Sequence, residues 1–130
     1  MNRLNGMRAY LAGAMDRVAD GGVEWRQKVT PFLEDYGITI LDPCDKPVKV
    51  GVEDLNSRTL INHYKSSGQY DKIREEFGVV RTLDLRCVDV SDFLIASIDI
   101  DVHACGTYEE ITTANSQKKP VLIYSPTSKW

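Results

Sequence analysis

The segment from Gly106 to Glu110 is the part of the sequence best suited to chemistry. It reads Gly-Thr-Tyr-Glu-Glu and places a small, flexible turn just before a predicted helix. Backbone N–H groups at a helix start favour an anion, so a carboxylate in the first turn stays ionised and can act as a nucleophile. Thr107 and Glu110 also fit a capping box, in which Glu110 only bonds back to the first amide of the helix. The spacing alone leaves both interpretations open.

Two aspartates, a tyrosine and a histidine are further candidates. Asp84 lies in a charged helical stretch, where acidic side chains are usually solvated. Asp92 follows Ser91 at the turn into a strand, where a carboxylate commonly holds backbone amides. Tyr10 lies in the first predicted strand, and its hydroxyl becomes interesting only if it reaches a carboxylate. His103 is interpreted as a loop residue that could touch a substrate in a cleft.

The cysteine and histidine content argues against a metal centre. Cys44, Cys87 and Cys105 are odd in number and form no C-x-x-C pair, which indicates neither a disulfide framework nor a zinc site. We expect all three to be small buried hydrophobic side chains. Two histidines cannot build a His-rich site. Any chemistry must come from carboxylates, hydroxyls, backbone amides or an organic cofactor.

The hydrophobic pattern alternates strands with helices. The strands are predicted at 8–13, 38–41, 93–98 and 120–124. The helices are predicted at about 23–36, at about 79–90, and from just after Gly106-Thr107 to about 117. This alternation predicts one α/β domain over residues 1–130, a Rossmann- or flavodoxin-like parallel sheet of four to five strands with helices on both faces. The loop after Gly13, the helix carrying Asp84 and the stretch 99–110 should meet at the carboxyl ends of the strands, where such sheets bind ligands.

Residues 45–78 depart from the alternation. The stretch 46–51 looks like a loop, and the stretches 53–66 and 69–77 are polar, with helical character, joined by Ser66-Ser67-Gly68. We interpret this segment as a helical excursion from the core.

Composition excludes several classes of function. The chain has 130 residues, of which 42% are hydrophobic and 27% charged, as in a globular domain. A net charge of -3 provides no global positive field for a nucleic-acid polymer. No apolar run approaches the roughly 20 residues of a membrane-spanning helix, and residues 1–6 lack a signal-peptide core. We therefore expect a cytoplasmic protein that binds neither nucleic-acid polymers nor membranes.

In combination, these segments resemble the nucleoside 2-deoxyribosyltransferase family and its relatives, the deoxynucleoside monophosphate N-glycosidases. The matching pieces are Tyr10-Leu11-Ala12-Gly13-Ala14-Met15, Trp25-Arg26, Asp42-Pro43, Asp84 eight residues before Asp92, Gly106-Thr107 with Glu110, Ile111 and Ala114, and Lys119-Pro120-Val121. Each motif is weak alone, but their order and spacing cover nearly the whole chain apart from the excursion.

The resemblance implies a role for each matching residue. Glu110 would be the nucleophile that attacks the anomeric carbon of a 2-deoxynucleoside, giving a covalent deoxyribosyl-enzyme that transfers the sugar to another nucleobase. Tyr10 would hydrogen-bond that carboxylate, and Asp84 would position or protonate the departing base. The substrate contacts would come from Gly13, Ala14, Met15, Asp92, His103, Gly106 and Thr107.

The implied chemistry needs neither a metal nor an organic cofactor, because one carboxylate can capture the oxocarbenium-like sugar while the leaving base takes up a proton. The implied partners are a small-molecule nucleoside or nucleotide and a nucleobase acceptor, and the protein is expected to be a homo-oligomer. If water captures the intermediate, the protein is instead a nucleoside or nucleoside 5′-monophosphate N-glycosidase. A non-catalytic nucleotide-binding module is the further alternative.

The sequence also departs from the family pattern. Ala14 and Ala104 stand where the nucleotide-cleaving relatives tend to offer hydroxyls to a 5′-phosphate, and the transferases tend to place an acidic sugar contact at the second position. Family sites are often completed by a neighbouring subunit's C-terminal segment, whereas here Trp130 soon follows the last strand. The excursion could replace that segment as a lid over the base or phosphate, or it could be a peripheral decoration. Its candidate lid residues are Lys46, Lys49, His63, Tyr64, Lys65 and Tyr70.

Overall fold

The computed structural model describes residues 1–15, 17–46 and 55–126. The elements in chain order are β1 (Arg8–Gly13), α1 (Val23–Glu34), β2 (Thr39–Leu41), α2 (Leu55–Ser66), α3 (Tyr70–Val90), β3 (Phe93–Ser97), α4 (Cys105–Ser116) and β4 (Val121–Tyr124). The strands pair in parallel in the order β2-β1-β3-β4. This confirms the predicted α/β fold, with four strands in the described part of the chain.

Helices cover both faces of the sheet, as predicted. Ala9 and Leu11 of β1 face α1, whereas Tyr10 and Ala12 face α3 and α4, because successive residues of a strand point to opposite faces. Each face has its own apolar cluster, to which the helices contribute Leu33 from α1, Val88 from α3 and Ala114 from α4. The alternation therefore places the Tyr10 side chain on the side of the sheet that carries α3 and α4.

Helix α3 is longer than the pattern predicted. We expected a helix from about Val79, but α3 begins at Tyr70 and continues through Gly78 for 21 residues. One glycine within a helix costs only about 1 kcal/mol relative to alanine, and packing of α3 against α2 and α4 outweighs that cost. The excursion is therefore a hairpin of α2 and the first half of α3, and it turns at Gly68, whose φ of 70° suits glycine.

Part of the predicted excursion lies outside the described residues. This applies to the expected loop 46–51 beyond Lys46, including Lys49, and to the first two residues of the stretch 53–66. None of the helices in the described ranges has the length and apolar character needed to cross a bilayer.

The strand order creates a crevice at the carboxyl edge of the sheet. From β1 the chain passes to β2 on one side, and β3 later pairs on the other side of β1. The connections after β1 and β3 therefore diverge at their carboxyl ends, the usual ligand position in open α/β sheets.

Candidate active site

A cavity of about 890 Å³ lies at this edge of the sheet, within the roughly 300–1,000 Å³ typical of small-molecule sites. Its walls come from the segments after β1 and β3, the start of α4 and one side of the α2–α3 hairpin. Nine of the predicted site residues line it: Tyr10, Gly13, Ala14, Met15, Asp84, His103, Gly106, Thr107 and Glu110. Residues far apart in the sequence are thus brought to one cavity.

Asp92 is the predicted site residue that does not reach the cavity. It precedes β3 and so lies at the opposite, amino end of the strands. There its Oδ2 accepts a hydrogen bond from the Arg8 backbone N–H at 2.7 Å, and its own N–H donates to the Arg8 carbonyl at 2.8 Å. Asp92 therefore ties β1 to β3, which is the structural interpretation of its position.

Glu110 is the centre of the site. Its side chain is buried, and its Oε1 accepts hydrogen bonds from the Tyr10 hydroxyl at 2.8 Å and from Arg81 Nη1 at 3.0 Å. The predicted contact between Tyr10 and this carboxylate is present because β1 directs Tyr10 toward α4.

The capping-box interpretation of Glu110 is wrong. Helix α4 begins at Cys105, its N-cap is Ala104, and no side chain caps it. A capping box would need Thr107 at the N-cap, but Thr107 is already within the helix. For the same reason Glu110 lies in the second turn, not in the first as expected. Its charge is therefore stabilised by Tyr10 and Arg81 more than by free amides of the helix start.

The environment of Glu110 acts on its pKa in opposing directions. Burial raises the pKa of this carboxyl above its ordinary value, and the negative charge of Asp84 raises it further. The hydrogen bonds from Tyr10 and Arg81, together with the positive charge of Arg81, lower it, but burial outweighs them. A carboxylate that loses water in this way is more basic and less solvated than an exposed one, which suits a nucleophile.

Arg81 is the functional candidate that the sequence reasoning did not identify. Besides Glu110, it contacts Glu109, whose Oε2 lies 2.8 Å from Arg81 Nε and 2.7 Å from Nη2. Its Nη2 also donates to the Gly106 carbonyl at 2.9 Å. A sequence signal existed, because Arg81 is three residues before Asp84 and so shares its helix face.

Asp84 forms a buried ion pair with Lys46. The Lys46 Nζ lies 2.9 Å from Asp84 Oδ1, and the two side chains are only 2% and 5% exposed. Burial of two charges is costly unless they compensate each other, so each stabilises the other's charge in this position. Asp84 lines the cavity and is thus available to a ligand.

Gly13 lies where β1, α1 and β3 converge. A Cβ on this residue would lie 3.0 Å from the Trp25 ring and 3.2 Å from the Ser97 carbonyl oxygen. Packing thus favours glycine here, independently of the predicted approach of the backbone to a sugar.

The α2–α3 hairpin forms one wall of the cavity, and its role as a lid stays a prediction. Lys65 lines the cavity, whereas His63, Tyr64 and Tyr70 do not. The wall also carries Arg58, whose Nη1 donates to the Val18 carbonyl at 2.6 Å. Further lining groups near this wall are Arg17, Ser57, Ile61, Asn62, Phe77 and Val80.

The cysteines differ from the expectation of three buried thiols. Cys44 and Cys87 are half-buried, and Cys105 is exposed because it opens α4 at the cavity. Within residues 1–15, 17–46 and 55–126, no three His, Cys, Asp or Glu side chains are grouped to hold a metal ion.

Comparison with known proteins gives likenesses of structure only. No protein-family model and no curated protein matches this sequence. A 2-deoxyribosyltransferase from Bacillus psychrosaccharolyticus superposes with a TM-score of 0.60 at 22% identity, over 95% of this chain and 75% of that one. A 2-deoxyribosyltransferase from Leishmania mexicana superposes with a TM-score of 0.61 at 17% identity, over 93% of this chain and 65% of that one. The chain therefore has the fold of these two enzymes and spans about two thirds to three quarters of their length.

Proposed function

We propose that this chain is a member of the nucleoside 2-deoxyribosyltransferase family. In this proposal it cleaves the N-glycosidic bond of 2-deoxynucleosides through a covalent deoxyribosyl-Glu110 intermediate and transfers the sugar to another nucleobase. The observation that carries the proposal is the buried Glu110 carboxylate, which lines a cavity of about 890 Å³ and is held by the Tyr10 hydroxyl at 2.8 Å. The likeness to two 2-deoxyribosyltransferases supports it.

The first step is attack of Glu110 on C1′ of the bound nucleoside. A C1′–O bond forms as the C1′–N bond breaks, and the electron pair of the C1′–N bond leaves with the base. Positive charge develops on the sugar in the transition state, and the adjacent carboxylate stabilises it. Because the intermediate is covalent, a second displacement at C1′ restores the original configuration.

The departing base needs a proton or a hydrogen bond at the nitrogen that leaves. Asp84 lines the cavity and its partner Lys46 is a proton donor 2.9 Å away. Asp84 thus provides an acceptor that can position a base. Lys46 does not line the cavity, so its proton would reach the base through Asp84. In the second step an acceptor base attacks C1′, the C1′–O bond breaks with its electron pair returning to Glu110, and the proton of the acceptor passes to the Asp84–Lys46 pair, which restores it.

Incubation of the protein with deoxynucleosides, with and without a free acceptor base, tests the proposed function. Chromatography should show base exchange when the acceptor is present. Base release without an acceptor identifies a hydrolase, and the absence of both reactions with every deoxynucleoside and monophosphate would contradict the enzymatic proposal in favour of a binding module.

Tyr10→Phe should lower kcat/KM by about 10- to 100-fold. The phenol orients Glu110 and its hydrogen bond lowers the pKa of that carboxyl, so its removal should move the acid limb of the pH–rate profile to higher pH. Tyr36→Phe, which removes the hydroxyl of a partly exposed tyrosine on the surface, is the matched control and should behave as the wild type. An unchanged acid limb in Tyr10→Phe would contradict the role of the phenol.

The cationic wall of the cavity favours a second candidate substrate, a 2-deoxynucleoside 5′-monophosphate. Arg58 and Lys65 of α2, together with Arg17, line the cavity. Their charges suit a phosphate group and could replace the hydroxyls that Ala14 and Ala104 do not provide.

Arg58→Met should raise KM for monophosphates by at least about 10-fold and leave KM for nucleosides within about twofold. Lys72→Met, which removes an exposed cation of α3 away from the cavity, should change neither value. Equal effects of Arg58→Met on both substrates would indicate loss of the Arg58–Val18 contact, and would contradict a phosphate subsite.

A further inference from the structure

The two hydrogen bonds to Glu110 converge on a single oxygen. The Tyr10 hydroxyl and Arg81 Nη1 both donate to Oε1, at 2.8 and 3.0 Å. Within the described residues, Oε2 accepts no hydrogen bond from a side chain or from the backbone. The carboxylate is therefore asymmetric, with one bound oxygen and one that lacks a donor.

We propose that Arg81 is a positioning residue for Glu110, which together with Tyr10 holds Oε1 and leaves Oε2 as the oxygen that bonds to substrate. The inference rests on the proposed function, since it assigns the atoms of that reaction. It adds a residue that none of the family motifs in the sequence contains.

The Arg81 guanidinium is itself fixed on three sides. It is half-buried and binds Glu109 and the Gly106 carbonyl in addition to Glu110. Its planar fork therefore has one orientation, in which Nη1 is directed at Glu110. Because Arg81 belongs to α3 and its three partners belong to α4, these hydrogen bonds also hold α4 in position against α3.

In this assignment Arg81 donates to Oε1 in both half-reactions. When Oε2 bonds to C1′ and the base leaves with the electron pair, Oε1 becomes the carbonyl oxygen of the ester and keeps its two donors. When the acceptor base attacks C1′, the C1′–Oε2 electron pair returns to the carboxylate and its negative charge is shared with Oε1. Donors already in place at Oε1 stabilise that charge without reorganisation.

Arg81→Met is the direct test. Among the described residues, the groups that act on the pKa of Glu110 are Tyr10 from β1 and Arg81 and Asp84 from α3. Lys46 pairs with Asp84 rather than with Glu110. Arg81 is thus the cation that lowers the pKa of Glu110, and its loss should raise that pKa. We expect kcat to fall by at least about 30-fold with a smaller change in KM, and the acid limb of the pH–rate profile to move to higher pH.

Two further variants separate positioning from general stability. Arg81→Lys keeps the charge but not the fork, and should recover part of the acid-limb shift and little of kcat. Arg86→Met removes an exposed arginine of the same helix and should match the wild type in all readouts. A kcat and an acid limb in Arg81→Met equal to those of the wild type would overturn the inference.

The role of Arg81 can be tested without turnover, and therefore separately from the proposed function. Carbon-13 NMR titration of the Glu110 carboxyl should show a higher pKa in Arg81→Met than in the wild type, even if neither turns over a nucleoside. An unchanged titration overturns the positioning role of Arg81, whereas an inactive wild type with the expected titration overturns only the proposed function.

In a structure of a trapped deoxyribosyl adduct, the ester carbonyl oxygen should contact Tyr10 and Arg81. Contacts to the ester oxygen bonded to C1′ would contradict the assignment of Oε2.

Discussion

Glu110→Gln is expected to abolish base exchange and base release, with a loss of at least about 10³-fold in kcat. Glutamine has the same size and can accept hydrogen bonds from Tyr10 and Arg81, but its neutral amide cannot form the ester with C1′. Stopped or continuous chromatographic assays of base release measure the loss. Because the shape of the cavity is preserved, substrate binding should persist, and isothermal titration calorimetry can show it.

The same substitution should leave the protein at least as stable as the wild type. Burial raises the pKa of Glu110 in the folded state above its ordinary value, so the folded protein holds this proton more tightly than the unfolded chain. The contribution of Glu110 to stability is therefore fully present below the unfolded pKa, about 4.3, and is lost as the pH rises through the raised folded value. In thermal unfolding, the midpoint temperature of Glu110→Gln should increase relative to that of the wild type as the pH rises from about 4 to 7.

Glu75→Gln is the control for both effects, because Glu75 is exposed on α3 away from the cavity. It should match the wild type in turnover and in the pH dependence of unfolding. Normal turnover by Glu110→Gln would end the nucleophile assignment, and a midpoint well below that of the wild type would mean that the charge of Glu110 is needed for the fold.

Arg26→Met is expected to lower the free energy of unfolding by about 3–5 kcal/mol. Arg26 is fully buried and donates to the carbonyls of Gly22, Leu11 and Gly13 at 2.6, 3.2 and 3.1 Å. Its Nε also lies 3.7 Å from Asp42 Oδ1. The substitution would leave three buried carbonyls without this donor and the half-buried Asp42 without its countercharge.

Urea denaturation followed by circular dichroism measures this loss, with Arg26→Lys as a second variant that keeps the charge but cannot reach all the carbonyls. Lys28→Met is the matched control on α1, because its exposed ion pair with Glu24 lies in solvent, and its midpoint should stay close to that of the wild type. A wild-type midpoint for Arg26→Met would contradict the assignment of Arg26 as the link between β1, α1 and the end of β2.

Much of the fold was predictable because its signals are local. The strand β1 and the helix α1 follow from apolar runs and helical spacing that involve only neighbouring residues. The start of α3 was predicted wrongly because its signal is not local. The polar stretch 69–77 has no strong apolar face of its own, and it is a helix in one piece with residues 79–90 because it packs against α2.

The candidate site was only partly predictable. The resemblance pointed to Glu110, Tyr10 and Asp84, and the structure places all three at one cavity. It did not include Arg81. The spacing to Asp84 places the two residues on one face of the helix, but an arginine on a charged helix is ordinarily solvated, and only the approach of α3 to α4 brings Arg81 to Glu110. Lys46 was considered as part of a lid, but its pairing with Asp84 depends on a contact 38 positions apart in the chain.

By itself, the sequence determined the order of strands and helices, and with it the parallel sheet whose carboxyl edge collects residues 10, 84 and 110. Strand alternation and helical period are properties of consecutive residues. The right-handedness of the crossover connections then determines on which face of the parallel sheet each helix packs. Only the tertiary structure excluded a capping role for Glu110 and showed that Asp92 lies outside the cavity. Those questions turn on where one helix begins and which donors approach from other elements, and these are settled by packing between segments as much as 100 residues apart.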